Sequence, residues 1–83
     1  MAYLRDKIYL RQFGIHLQKL RTSKGMTQAE LAYECGMEIS QISRMERGML
    51  NTSISNIYLM SKALGIHPME FLNFEMKSKD KKK

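Results

Sequence analysis

Tryptophan is absent from this chain, and proline and cysteine occur once each, as Pro68 and Cys35. A single cysteine excludes an intrachain disulfide. Because Cys35 falls on an apolar helical stripe, it reads as a small buried hydrophobe rather than a nucleophile. Strand signals are missing too: β-branched residues are scattered and no run alternates with period two, so an all-helical bundle is the expected class. The longest apolar run is a few residues, far short of a membrane span. Arg5, Asp6, Lys7 and Arg11 interrupt anything resembling a secretory apolar region, so the cytoplasm is the expected location. Catalytic constellations are equally scarce. There is no Gly-rich phosphate loop, no H-E-x-x-H and no nucleophile elbow. His16 and His67 lie on different elements without cysteine or carboxylate partners at metal-ligand spacing, and they read as a surface histidine and a helix-start histidine. No cofactor, no metal and no enzymatic activity are expected.

What is present is positive charge, and its placement matters more than its total. The 83 residues carry a formal net charge of +6. The last seven, KSKDKKK, hold five lysines and one aspartate, whereas residues 1–76 hold nine basic and seven acidic side chains. Basicity is therefore concentrated in a tail, 77–83, that is expected to be disordered and to follow one folded domain, 1–76. Of the eight methionines, Met45 and Met60 lie on apolar stripes and read as flexible core fillers.

Along the chain, Leu4, Ile8 and Leu10 alternate with charged residues, so the first dozen residues extend the first helix. Phe13, Leu17 and Leu20 then recur at i, i+4, i+7, with Lys19, Arg21 and Lys24 toward the end where cations suit the helix dipole, and Gly25 closes the helix. Thr27 is the expected cap of a second helix and Glu30 completes a capping box, with Met26 placed for a hydrophobic staple. Leu31, Ala32 and Cys35 share a face before Gly36 turns the chain. A third short helix buries Ile42 and Met45 and clusters Ser40, Ser43, Arg44 and Arg47 on its other side, with no carboxylate among them. The segment MLNTS is a loop in which Thr52 or Ser53 caps a fourth helix bearing Ile54, Ile57, Met60 and Leu64 on one stripe, with Ala63 beside them, ending at Gly65. A fifth short helix begins at His67-Pro68 and adds Phe71, Leu72 and Phe74 to an apolar face.

Two helices of about eight residues joined by a three- or four-residue glycine turn have helix-turn-helix geometry. On Gln28, Leu31, Ala32, Gly36, Ile42, Ser43, Glu46 and Gly48, the stretch Thr27 to Gly48 resembles the helix-turn-helix of phage-repressor-like (Xre-like) transcription regulators, and the match extends from Phe13 to Phe74. The resemblance implies a five-helix fold in which helices two and three form the motif. The small size is similar to that of restriction–modification controller proteins and of small phage or mobile-element regulators.

From these residues follow the expected roles. Arg44 is the best candidate for reading a base, as a bidentate contact to guanine O6 and N7. Exposed Ser40 and Ser43 are poorly explained by helix propensity and better explained as small side chains that let the backbone approach a groove, the alternative being an ordinary solvated face. Gln41 on the flank reaches base or phosphate. Glu38 stands where the family usually has a Ser or Thr cap; it either penalises wrong sites, accepts from cytosine N4, or points away. Ile39 either meets a thymine methyl or is half buried. Arg47, Asn51, Thr52 and Ser53 are expected at phosphates. The resemblance implies the same for Gln28, whose alternative is a good helix former at the first helical position. It also implies an internal ion pair between Arg21 and Glu46. Ile66, Met69, Phe71, Leu72 and Phe74 offer more apolar surface than a monomer's underside requires, so a two-fold interface is expected there, although core packing accounts for the same residues. The expected function is a sequence-specific, double-stranded DNA-binding regulator acting as a homodimer on an inverted repeat. The competing reading is a protein-interaction module, or an antitoxin-like partner, on the same fold.

Overall fold

In a computed structural model, described for residues 6–76, the chain forms four α-helices and one 3₁₀ turn, with no strand among the described residues. The helices are α1 (Lys7–Ser23), α2 (Gln28–Cys35), α3 (Ile39–Glu46) and α4 (Ile54–Leu64), followed by the 3₁₀ helix Pro68–Phe71. The all-helical class stands, but the fifth element is a four-residue 3₁₀ turn rather than an α-helix. Pro68 supplies no N–H, and Leu72 already closes the turn, so no second turn of i to i+4 bonds forms. The basic tail 77–83 and the first five residues lie outside the described residues.

Local chemistry sets each boundary. The Asp6 carboxylate accepts from the Tyr9 N–H at 2.9 Å and starts α1. At α2, Thr27 Oγ1 accepts from the Glu30 N–H at 3.0 Å while the Glu30 carboxylate accepts from the Thr27 N–H at 2.8 Å, the reciprocal capping box that the spacing implied. Ser53, not Thr52, caps α4, with its Oγ accepting from the Asn56 N–H at 3.1 Å. Gly36 closes α2 at φ 71°, a left-handed conformation that an L side chain adopts only at a cost.

Phe13, Leu17, Leu31, Ala32, Ile42, Met45, Met60 and Phe71 meet in one core, and Cys35 joins them, its thiol pushed up from the ordinary value by burial and then by the nearby Glu34 charge. Two expectations about this core fail. Ile54 has the spacing of the α4 stripe but is 84% exposed, because the first turn of that helix projects beyond the core. Phe71 is fully buried and belongs to the monomer's core, so it is unavailable to a two-fold interface.

The crossing of α1 over the end of α3 determines how α3 is held. Gly14 is the contact point: a Cβ there would strike the backbone carbonyls of Met45 and Glu46. One α1 turn earlier, Arg11 backbone packs on Gly48, where a Cβ would stand 2.7 Å from the Arg11 Cα. No side chain separates the two helices at these points, and α3 is pressed backbone-to-backbone against α1.

Candidate nucleic-acid interface

Eight residues are too few to hold a helix in isolation, so the orientation of α3 depends on what it buries. Ile42 and Met45 are fully enclosed. Glu46 is also buried, and its carboxylate is fully engaged. Arg21 donates through Nε to Oε2 at 2.5 Å and through Nη2 to Oε1 at 3.0 Å, a bidentate pair with side chains 9% and 4% exposed. Gln28 Nε2 donates to Oε1 at 2.8 Å. The remaining arm of Arg21 donates to the Met26 carbonyl at 2.7 Å. Through one carboxylate, the end of α1, the turn before α2, the first residue of α2 and the last residue of α3 become a single unit.

The amide of Gln28 thus faces Glu46, half-buried, which the sequence did not indicate. One of its two N–H bonds is committed there and the other is left for an outside acceptor. A hint was available: a polar first residue on α2 beside an inward carboxylate on α3 has a use in satisfying that carboxylate.

The opposite face of α3 carries the residues expected to meet bases. Ile39 is 51% exposed, so it is not tucked against the core, and Ser40 and Arg44 are exposed beside it. Ser43 is half-buried between them. At 3.6 residues per turn, Ile39, Ser40, Ser43, Arg44 and Arg47 fall within an arc of roughly 140°. Glu38 occupies the N-cap position and is exposed; its backbone N–H donates to Gln41 Oε1 at 3.1 Å. Gln41 is therefore tied by its carbonyl to the start of the helix, with its NH₂ group as the part left to reach outward. Arg47 caps the C-terminal end, and its Nε leans on the Ser43 carbonyl at 3.4 Å.

The loop after α3 brings Asn51, Thr52 and Ser53 to one corner. Asn51 is exposed, Thr52 Oγ1 accepts from Asn56 Nδ2 at 3.0 Å, and Ser53 caps α4. Both hydroxyls accept in these bonds and keep their own proton to donate. After α4, Ile66 and Phe74 are half-buried, while Met69 and Leu72 are 61% and 51% exposed, Leu72 bordering the same hollow as Asn51 and Thr52. On α4, Tyr58 and Ile54 are 53% and 84% exposed, Ile54 being the one the sequence stripe had turned inward. His16 is not a plain surface histidine: its Nε2 meets the Glu70 carbonyl at 2.6 Å and its ring lies against Phe74, anchoring the 3₁₀ turn to α1.

Comparison with known proteins agrees with this geometry. Residues 17–71 match the helix-turn-helix family model. The chain is 44% identical over 63 residues to control protein C.BamHI of Bacillus amyloliquefaciens, covering 75% of this chain and 78% of that protein. Its fold superposes on the crystal structure of the restriction–modification controller protein C.AhdI from Aeromonas hydrophila with a TM-score of 0.73 and 42% identity, covering 75% of this chain and 94% of the other. It also superposes on the controller protein C.Esp1396I, solved as a tetramer with its natural 35 base-pair operator, with a TM-score of 0.72 and 31% identity over 81% of this chain and 88% of that one. On the capping box, the glycine turn, the buried Arg21–Glu46 pair and these likenesses together, the chain belongs to the Xre-like helix-turn-helix family.

Proposed function

We infer that this protein is a sequence-specific regulator of transcription that binds double-stranded DNA in the cytoplasm, without enzymatic activity, as a homodimer on an inverted repeat. The observation that carries this reading is the outward face of α3. It carries small serines, has Arg44 exposed at one edge, and sits on a helix whose other side is pinned by the Glu46 carboxylate. That face suits the major groove, where an arginine donates in parallel to guanine O6 and N7. Ser40 and Ser43 let the backbone come close and Ile39 meets a thymine methyl, with Gln41 and Glu38 at the leading end.

Arg47, the second N–H of Gln28, Asn51, Thr52 and Ser53 form a border of donors for backbone phosphates, which fix register without reading sequence. Eight residues of one α3 make few base contacts, too few to select a site among genomic competitors. Two copies with α3 helices roughly 34–36 Å apart read two half-sites related by the same two-fold axis. The surface that brings them together is the exposed apolar patch of Ile54, Tyr58, Met69 and Leu72 with the half-buried Ile66 and Phe74. Such a patch on a small helical domain is otherwise an aggregation hazard. An operator complex of C.Esp1396I gives the same reading independent support.

The test is selection of preferred duplexes from a random library, followed by titration of Arg44→Ala on the selected and a scrambled duplex. Loss of about 1–3 kcal/mol on the selected site, with scrambled binding unchanged, is the expected result. Equal losses on both duplexes would move Arg44 to a phosphate, and absence of any preferred duplex would remove the regulator reading.

A further inference from the structure

Where the start of α1 meets the C-terminal end of α3, the structure holds a basic notch of which the proposed DNA contacts use only Arg47. It has a volume of about 350 Å³ and is bordered by Lys7, Arg11, Arg47, Gly48 and Met49. We propose that this notch is a second backbone-phosphate site for duplex DNA, in which the first turns of α1 extend the footprint past the C-terminal end of α3. Its role rests on the proposed binding of duplex DNA by α3.

The notch is built by the fold. Gly48 adopts φ 76° and its Cα lies so near Arg11 that an added Cβ would be 2.7 Å from the Arg11 Cα. That close approach sets the stem of Arg11 beside Arg47, whose Nε is held on the Ser43 carbonyl at 3.4 Å. Lys7 stands one turn before Arg11 on the same face of α1. Lys7 and Arg11 are both exposed, and neither has an ion-pair partner among the described residues.

The acids nearby are already engaged. The Asp6 carboxylate caps α1 through the Tyr9 N–H. The adjoining hollow, which shares Arg11 and Arg47, is bordered by Glu46, and that carboxylate is turned to Arg21 and Gln28 and neutralised there. Three cations therefore converge on a concave surface with no carboxylate on its rim. Like charges at i, i+4 and across a notch repel, and a bound anion relieves that repulsion. The anion best placed is a phosphodiester next to the groove that α3 enters, because Arg47 belongs to both surfaces. Fixed cations on two helices also resist rotation of α3 about its own axis on the duplex, which a single row of contacts along α3 does not.

The test uses the full chain with Lys7→Gln, Arg11→Gln and the double variant, on a duplex selected by the wild type and on a scrambled one. The slope of log K against log salt is expected to fall by about 0.9 per protomer for each phosphate that is no longer neutralised. Both duplexes should weaken by the same factor, and the order of preferred sequences should stand. Ethylation of individual phosphates gives the second readout: the wild type should be blocked at one backbone position per half-site where Arg11→Gln is indifferent. Unchanged slope and unchanged ethylation pattern in all three variants, while Arg44→Ala still loses its preferred site, would overturn the notch and leave the DNA reading intact. A wild type that prefers no duplex would overturn both.

Discussion

Removing the Glu46 carboxylate tests how the recognition surface is held. In Glu46→Ala three donors lose their acceptor: Arg21 Nε at 2.5 Å, Arg21 Nη2 at 3.0 Å and Gln28 Nε2 at 2.8 Å. The guanidinium stays enclosed, with the Met26 carbonyl as its remaining partner. Stranding one member of a buried pair costs about 3–5 kcal/mol. A chain of this length has roughly 4–12 kcal/mol of total stability at the usual per-residue values, so the variant sits near or at the edge of folding. Urea unfolding followed by far-UV circular dichroism measures the loss. With a slope of about 1 kcal/mol per molar urea for a small domain, the midpoint should fall by about 3 M or more, or the native baseline should disappear. The double variant Arg21→Met with Glu46→Leu separates the cost of a stranded charge from the worth of the pair. It should recover most of the stability, since apolar replacements of buried pairs are often neutral or better. It should nevertheless lose site preference, because Gln28 then has no acceptor and α3 has lost its tether. A Glu46→Ala protein within about 1 kcal/mol of wild type would refute the reasoning, since no buried charge costs so little once abandoned.

Two further substitutions test the packing that supports this unit. Gly14→Ala should destabilise by about 2–3 kcal/mol, because the new methyl meets backbone carbonyls that have no room to yield. Gly36→Ala, where nothing lies within 4 Å of the added Cβ, should cost only about 1–2 kcal/mol for the left-handed backbone. Thermal unfolding ranks the two, and a Gly14→Ala melting temperature equal to wild type would contradict the crossing geometry. At the apolar patch, Leu72→Glu or Ile54→Glu should convert a dimer at micromolar concentration into a folded monomer in sedimentation. A wild type that is strictly monomeric, also on DNA, would discard the two-fold interface.

Much of the fold was legible because its determinants are local. The Thr27–Glu30 capping box, the glycine ends of the helices, and the burial of Ile42, Met45 and Met60 each depend on neighbours within a turn or two, and each is where the spacing put it. The errors lie where local pattern stops deciding. The run Ile66 to Phe74 shows abundant apolar residues without a helical period, and nothing in it distinguishes Phe71, which the core swallows, from Leu72, which faces out. Ile54 has the right spacing for the α4 stripe, yet the first turn of that helix projects beyond the core. Gly14 carried a readable signal. A glycine inside an otherwise good helix is unfavourable unless another backbone must come close, and here the α3 backbone does.

The Arg21–Glu46 pair shows why the candidate site was only partly legible. Resemblance supplied the two partners, but Gln28 was assigned outward, to phosphate, and the structure places its amide on the same carboxylate. The two roles are joined. In the proposed complex a carboxylate at the end of α3 would repel phosphates unless its charge were cancelled, and cancelling it with a bidentate arginine leaves Oε1 able to accept a further hydrogen bond. Gln28 fills that place with one N–H, which fixes the direction of the other. On the proposed reading, the same carboxylate that holds the end of α3 also aims the free N–H of Gln28 on α2 toward a phosphate. Changes at Arg21, buried against Glu46 and off the outward face of α3, should therefore alter recognition through geometry shared by three helices.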